Sequence, residues 1–162
     1  MISKKMEKAL NAQIKAELES GYLYLSMAAY LQDQGLDGMA QWMKVQAREE
    51  TGHAMKLFGY LNDRGGRCLL DAVAKPKSEW TSTKEVFQDT LKHEQKVTGL
   101  IHGLVKLAEE EKDYATGVLL QWYVTEQVEE EDNAVKILQV LDRIKDSGAG
   151  IIMLDHQLGE RK

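Results

Sequence analysis

The sequence contains one cysteine and one proline in 162 residues, and these scarcities exclude several classes of protein. A lone Cys68 cannot form a disulfide within the chain, and it leaves no C-x-x-C pair for a zinc or rubredoxin-type iron site. Because proline interrupts helices, a single proline favours long, continuous helices. The length and the 43% hydrophobic content are those of one globular domain, which we expect to span residues 1–162.

Long apolar runs and an excess of basic residues are also missing. No stretch reaches the length of a membrane span, and the N-terminus lacks the basic and apolar segments of a signal peptide. We therefore expect a cytoplasmic protein without a membrane partner. The formal net charge of −5 argues against nucleic acid as the main partner and fits the binding of cations.

Apolar residues recur every three or four positions along four long segments, and this period predicts α-helices. Ser3, Asp37 and Thr83 are expected to cap the first three, because their side chains can accept a hydrogen bond from a backbone N–H group. The Gly65-Gly66 pair should end the second helix. The expected helices cover residues of about 3–34, 37–65, 83–112 and 113–145.

The segment of about 65–82 has no helical period and contains the only proline, Pro76. Helix hairpins usually need far shorter connections, and this segment is long enough to run the length of a bundle, which is about 40 Å. We interpret it as a crossover loop in an all-α four-helix bundle of about 3–145, with a mobile surface loop as the alternative. A short apolar C-terminal helix of about 147–158 should dock on its own bundle or on a neighbouring subunit.

Each of the four helices carries polar side chains in the middle of its apolar face. An unpaired charge buried there would cost several kcal/mol, so these positions need an explanation. The helical rise places all of them near mid-height of the bundle, where they would form one polar layer. This polar layer consists of Glu17, Glu50, His53, Glu94, Gln127 and Glu130.

The polar layer contains four carboxylates, and the apolar faces offer no lysine or arginine to balance them. Two divalent cations would neutralise the charge, and carboxylates with one imidazole suit Fe(II), Mn(II) or Zn(II). Glu50 and His53 also reproduce the Glu-x-x-His spacing of di-iron bundles. We therefore predict a dinuclear metal site, and a metal-free layer of salt-bridged side chains is the alternative.

Further polar residues surround the predicted centre. Tyr24 lies two helical turns after Glu17, and its phenol should point back to donate a hydrogen bond to a ligand or to give up an electron. A core tyrosine with a satisfied hydroxyl is the alternative. Glu49, Glu126 and Glu129, which we call the shoulder carboxylates, lie on helix faces next to the polar layer. They form either a solvated surface cluster or a third, weaker metal site.

The sequence resembles the ferritins, and among them the bacterial non-haem ferritins, over nearly its whole length. The pieces that carry the resemblance are Ala16-Glu17-Leu18, Gly21-Tyr22-Leu23-Tyr24, Arg48-Glu49-Glu50-Thr51-Gly52-His53, Lys92-His93-Glu94 and Glu126-Gln127-Val128-Glu129-Glu130. The resemblance implies two irons per subunit, with Tyr24 beside them. It assigns Glu17, Glu50, His53 and Glu94 to the first iron with Gln127 nearby, and Glu50, Glu94 and Glu130 to the second. It assigns Glu49, Glu126, Glu129 and Glu130 to a third iron.

Two positions depart from the bacterioferritins and argue against haem. The fourth helix has Gln127-x-x-Glu130 where bacterioferritins have Glu-x-x-His, and Thr51 stands where they carry the methionine that binds haem. We therefore expect no haem. A rubrerythrin would need an iron domain with four cysteine ligands, and Cys68 is the only cysteine.

The resemblance implies an iron-storage ferroxidase that forms a homo-oligomeric cage of about twenty-four subunits. Fe(II) would bind the paired site, O2 or H2O2 would oxidise it, and Fe(III) would move into a mineral inside the cavity. Two alternatives stay open on the residues alone. One is a di-iron peroxidase or oxidase that retains its metals, like a rubrerythrin or bacterioferritin, and the other is a purely structural bundle with a polar core layer.

Overall fold

Five α-helices make up the computed structural model, which describes residues 1–145 and 147–162. The all-α prediction, with four long helices and a short fifth one, is confirmed. Within the described ranges, none of the helices combines the length and apolar character that a membrane span requires. The helices are α1 (Lys4–Asp33), α2 (Asp37–Asp63), α3 (Thr83–Glu111), α4 (Tyr114–Ile144) and α5 (Gly148–Gly159).

Side-chain caps start α1 and α3 close to the predicted positions. Ser3 accepts a hydrogen bond from the backbone N–H of Met6 at 3.0 Å, as predicted. For α3 the cap is Ser82 instead of Thr83, and its hydroxyl accepts from the N–H of Glu85 at 3.1 Å. The two hydroxyl residues are adjacent, so the sequence pattern alone did not separate them.

The start of α2 has no cap from its own segment, so the predicted role of Asp37 is wrong. Leu36 occupies the N-cap position, and α5 supplies the missing acceptor. The carboxylate of Asp155 accepts from the N–H of Gly38 at 3.2 Å and from the N–H of Met39 at 2.8 Å. A negative charge at a helix N-terminus also interacts favourably with the helix dipole. The C-terminal helix thus completes a helix that begins more than a hundred residues earlier.

Two glycines allow α5 to approach α2 closely. A Cβ atom on Gly38 would lie 1.9 Å from the carbonyl oxygen of Asp155, and one on Gly159 would lie 3.0 Å from the Cα of Gly38. On its inner side, α5 buries Leu154 and Leu158 among the core residues. The short apolar segment therefore docks on its own bundle, the first of the two alternatives.

The connection between α2 and α3 is a crossover, as predicted. It leaves the end of α2 next to the start of α1, where the N–H of Ile2 donates to the carbonyl of Arg64 at 3.3 Å. It then follows α1 toward the other end of the bundle. Its hydrogen bonds to α1 join Leu69 to Asn11, Ala74 to Glu19 and Lys77 to Ser26, at 2.7, 3.3 and 2.7 Å. Because the loop traverses the bundle, α3 starts at the opposite end and runs parallel to α2.

The last helix returns antiparallel to α3 and completes the bundle. Ser3 donates a hydrogen bond to Glu111 at 2.5 Å, so the end of α3 lies beside the start of α1. Arg64 forms an ion pair with Asp113 at 3.0 Å, so α4 begins beside the end of α2. The bundle therefore has an up-down-down-up topology, the arrangement that one long crossover produces.

The polar layer divides the apolar core into two clusters. On α1, the cluster at one end includes Leu10 and Ile14, and the cluster at the other includes Met27 and Leu31. On α2, α3 and α4 as well, the buried residues on one side of the polar layer belong to one cluster and those on the other side to the second cluster. Side chains in the polar layer are therefore packed between apolar residues above and below, which restricts their movement.

We predict that replacing Gly38 with alanine will undock α5, because the new Cβ would overlap the Asp155 carbonyl. The expected loss of stability is about 1–3 kcal/mol, the usual range for overpacking. Hydrogen exchange of the α5 amides should become faster while the α1–α4 amides stay protected.

Gly59, on the same helix, is the matched control, because a Cβ there meets nothing within 4 Å in the described structure. Gly59→Ala should leave α5 protected, since alanine favours helices over glycine. Equal exchange of α5 in the two variants would contradict the proposed close packing.

Candidate metal centre

Six side chains from the four long helices meet at mid-height of the bundle. Their helical spacing turns each of them inward, and all six are buried, with no more than 6% of any residue exposed. The structure therefore brings together the whole predicted polar layer. Its members are Glu17 on α1, Glu50 and His53 on α2, Glu94 on α3, and Gln127 and Glu130 on α4.

One group of potential ligands in the polar layer consists of Glu17, Glu50 and His53. Each offers one ligand atom, and these atoms lie within 4.8 Å of one another. The Nδ1 atom of His53 is 3.5 Å from Glu50 Oε2 and 4.0 Å from Glu17 Oε2. Two carboxylates and an imidazole at this spacing can hold one divalent cation.

The other ring nitrogen of His53 faces a second group. His53, Glu126 and Glu130 also offer ligand atoms within 4.8 Å of one another. The Nε2 atom of His53 is 4.0 Å from Glu126 Oε1. The imidazole therefore stands between two carboxylate groups, and the shoulder carboxylate Glu126 lies close to the centre of the bundle.

Two neutral donors hold Glu94. The Tyr24 hydroxyl donates to Glu94 Oε1, so the predicted hydrogen bond between this phenol and a candidate ligand is present. The amide nitrogen of Gln127 donates to Glu94 Oε2 at 3.1 Å. Tyr24 is completely buried, and burial followed by the charge of Glu94 raises the pKa of its phenol well above the usual value. The phenol therefore stays protonated and remains a donor.

Sequence reasoning missed three buried side chains that support the polar layer. Two of them are glutamines four residues before a glutamate on the same helix, and this i, i+4 spacing is the signal that could have revealed them. The third is a tyrosine that binds a backbone carbonyl. These contacts join Gln13 to Glu17 at 2.9 Å, Gln46 to Glu50 at 3.2 Å and to Glu130 at 2.6 Å, and Tyr123 to the carbonyl of His53 at 2.7 Å.

Burial raises the pKa values of the carboxyls of the polar layer. Burial, and after it the charge of Glu50, raises the pKa of Glu17 well above the usual value. Burial, and after it the charge of Glu94, raises the pKa of Glu50 in the same direction and that of Glu130 to about 7. Cations that bind these groups must therefore displace protons, and in return they relieve the repulsion between the carboxylates.

The three shoulder carboxylates lie in different surroundings. Glu126 belongs to the group with His53, and its side chain is 28% exposed. Glu49 forms an ion pair with Arg161 of the C-terminal segment. Glu129 is exposed, and in the described part of the chain it belongs to neither group of potential ligands. The structure therefore gathers part of the third site that the resemblance implies.

We predict that Glu17→Gln will stabilise the metal-free protein above pH 7. A carboxyl with a raised pKa contributes stability below its unfolded value of about 4.5, and this contribution is lost as the pH rises through the folded-state pKa. Glutamine avoids that loss and can still accept the hydrogen bond of Gln13. Chemical denaturation of chelator-treated protein measures the free energy of unfolding at pH 5 and pH 8. Between these two pH values it should decrease less for Glu17→Gln than for the wild type.

Glu109, which is exposed on α3, provides the control. Glu109→Gln should follow the wild-type dependence on pH. Addition of Zn(II) should reverse the order of stability, because the wild type then gains more from the ion than Glu17→Gln does. Identical pH dependence in all three proteins would contradict the view that buried charge destabilises the metal-free state.

Comparison with known proteins agrees with this geometry. The family model described as the ferritin-like domain matches residues 7–144. A bacterial non-heme ferritin of Bacteroides fragilis (strain 638R) is 44% identical over 99% of this chain and 100% of its own length. A bacterial non-heme ferritin of Staphylococcus aureus (strain USA300) is 38% identical over 99% of this chain and 97% of its own.

Solved structures agree as well. An open pore ferritin from the hyperthermophilic archaeon Archaeoglobus fulgidus superposes with a TM-score of 0.98 at 50% identity, covering 99% of this chain and 98% of that one. An engineered closed form of the same ferritin gives a TM-score of 0.99 at 50% identity, covering 100% and 99% of the two chains. These likenesses extend over nearly the full chain and include all four helices that form the polar layer. The resemblance seen in the sequence is confirmed, and the chain belongs to the ferritin family.

Proposed function

We propose that this protein is an iron-storage ferritin, in which each subunit oxidises Fe(II) and passes Fe(III) to a mineral inside an oligomeric cage. The observation that supports this function best is the group of Glu17, Glu50 and His53, with ligand atoms within 4.8 Å at the centre of the bundle. Relatives named bacterial non-heme ferritins match almost the entire chain. Iron is here the substrate and the cargo.

The polar layer is proposed to bind two Fe(II) ions per subunit. The four buried carboxylates can balance the charge of two divalent ions, and His53 adds a nitrogen ligand. Glu50 and Glu94 are proposed to serve both ions. We assign Glu17, Glu50, His53 and Glu94 to the first ion with Gln127 beside it, and Glu50, Glu94 and Glu130 to the second.

The chemistry follows from holding two reducing ions side by side. Two Fe(II) ions give up two electrons, which is the number needed to reduce O2 to H2O2 or H2O2 to water. Because the pKa values of Glu17, Glu50 and Glu130 are raised, Fe(II) would compete with protons for these carboxyls. Carboxylate oxygens bind Fe(III) but form no closed nitrogen or sulfur cage around it. The product can therefore leave toward the mineral.

Tyr24 is proposed to act directly beside the two ions. Its hydroxyl donates to Glu94, which we assign to both ions, and its phenol is held in the protonated state. It can orient the shared carboxylate and can also supply an electron. Because the side chain is fully buried and donates to Glu94 of α3, its position is fixed by packing.

A third, weaker iron site is proposed at Glu49, Glu126, Glu129 and Glu130. The proximity of Glu126 and Glu130 to His53 supports it, because an ion there would share Glu130 with the central pair. The exposure of Glu129 supports an opening toward solvent, through which iron can pass between the pair and the cavity. We propose that these groups form the path by which oxidised iron leaves.

We further propose a homo-oligomeric cage of about twenty-four subunits in the cytoplasm, without haem. The outer side of α5 exposes Ile152 and Met153, 69% and 74% respectively, and such apolar residues suit contacts between subunits. Thr51 stands where bacterioferritins have the haem-binding methionine. Its hydroxyl donates a hydrogen bond to the carbonyl oxygen of Ala47 in the same helix at 2.9 Å.

The first test is the rate of Fe(II) oxidation. His53→Ala and Glu94→Ala should each slow oxidation by more than about a hundredfold, since loss of residues that merely support ligands already has effects of ten- to a hundredfold. Stopped-flow absorbance of the Fe(III) product measures the rate. His102→Ala is the control, because His102 is exposed on α3. Wild-type kinetics in both site variants would rule out the assignment.

The second test separates storage from a di-iron enzyme that retains its metals. Native mass measurement combined with iron analysis should give a cage of about twenty-four subunits that takes up far more iron than its sites can hold. The His53→Ala cage should assemble but load iron slowly. A monomer or dimer that stops at two irons per subunit would favour the enzyme alternative.

A further inference from the structure

We propose that Arg161 is a positioning residue for the metal centre, although it lies outside the four-helix bundle. It orients the amide of Gln46 and neutralises Glu49, so that cations fill the central pair before they reach the shoulder carboxylates. This inference rests on the proposed function only in taking the polar layer and the shoulder carboxylates as metal sites.

The docking of α5 brings Arg161 to this place. Gly159, the last residue of α5, packs against Gly38 at the start of α2, and the chain continues along α2 from there. The guanidinium carbon of Arg161 lies 4.5 Å from the centroid of the Trp42 ring. Trp42 is itself buried and packs edge-on against Phe87. A cation–π contact with an immobile ring holds the guanidinium in one orientation.

The guanidinium then contacts two residues of α2 at once. Its Nη1 donates to Gln46 Oε1 at 2.8 Å, and its Nη2 donates to Glu49 Oε2. An arginine can do this because its donors form a planar fork. The ammonium group of a lysine has no such fork. The side chain of Arg161 is only 22% exposed, so these contacts are partly shielded from solvent.

Through Gln46 the arginine reaches two candidate ligands. Gln46 is completely buried, and its amide nitrogen donates to Glu130 at 2.6 Å and to Glu50 at 3.2 Å. A guanidinium has donors and no acceptor, so it can face only the oxygen of this amide. The contact therefore directs the amide nitrogen toward the two carboxylates and polarises it, which strengthens its hydrogen bonds.

Through Glu49 the arginine opposes binding at the shoulder. The carboxylate already has a cationic partner, so a metal ion that approaches Glu49 must displace Arg161 or share the oxygen atoms with it. Among the buried residues that the structure describes, there is no lysine or arginine that could compete in this way within the polar layer. One residue thus favours binding at the centre and disfavours it at the shoulder, which separates the two affinities.

The test is a titration of the assembled, chelator-treated protein with Zn(II), which binds the same ligand types without redox chemistry. In Arg161→Ala, calorimetry should show central binding weakened by about tenfold, the effect of losing a charge-assisted hydrogen bond. Binding of the shoulder ion should become about threefold tighter, as expected for removal of a partly exposed ion pair. Crystals soaked with limiting Zn(II) should show shoulder occupancy earlier than in the wild type.

Lys162→Ala removes the same charge from the next residue and is the matched control. If the C-terminus acted only through its overall charge, Arg161→Ala and Lys162→Ala would change the affinities of the central pair and of the shoulder in the same way. This result would overturn the proposal. So would unchanged affinities and an unchanged filling order in Arg161→Ala.

Glu49→Gln separates the two contacts. In that background, Arg161→Ala should still weaken the central pair about tenfold, because the contact with Gln46 is unaffected by the loss of the charge at Glu49. Disappearance of the effect would overturn the positioning role. If wild-type protein takes up no Zn(II) in the polar layer and fails to oxidise Fe(II), the proposed function itself fails. If the wild type binds Zn(II) normally and Arg161→Ala shows the same affinities and filling order, this result refutes the inference about Arg161 alone.

Discussion

The rest of the structure depends on the burial of four carboxyl groups in one layer, and the buried residues of the described chain include no lysine or arginine to balance them. The repulsion among them and their separation from water make the charged state unfavourable, as the raised pKa values of Glu17 and Glu50 show. Two apolar clusters, one on either side, provide the packing that compensates for this layer. This layer thus lowers the stability of the protein at its centre, and cations bound there, as proposed, would raise it again.

Topology explains how four distant segments reach the same layer. The crossover loop follows α1 through contacts at Asn11, Glu19 and Ser26, so α3 can enter from the same end as α2. A shorter connection would have made α3 antiparallel to α2. The return of α5 onto α2 adds a second long-range contact, in which Asp155 caps a helix that has no cap of its own. The elements that position the centre are therefore held by contacts far apart in sequence.

The sequence was sufficient to predict the four helices and the six members of the polar layer, because helical periodicity is a local property. It was insufficient where the determining contact is made by distant residues. The cap from Asp155 and the ion pair between Glu49 and Arg161 depend on how α5 docks, and no local pattern encodes that docking. The supporting role of Gln46 lies between these cases, since its i, i+4 relation to Glu50 is visible in the sequence but its contact with Glu130 is not.

The groups that donate hydrogen bonds to the buried carboxylates carry no charge, and this affects how the carboxylates can bind ions. Gln13, Gln46, Gln127 and Tyr24 are all electrically neutral donors, and the nearby guanidinium of Arg161 reaches the polar layer only through an amide. Neutral donors keep the oxygen atoms in place but do not cancel their charge. Under the proposed function, an arriving ion therefore competes with protons for these carboxyl groups, and the donors themselves add no opposing charge. The same donors would also preserve the arrangement of the carboxylates between one ion and the next, as repeated cycles of loading and release require.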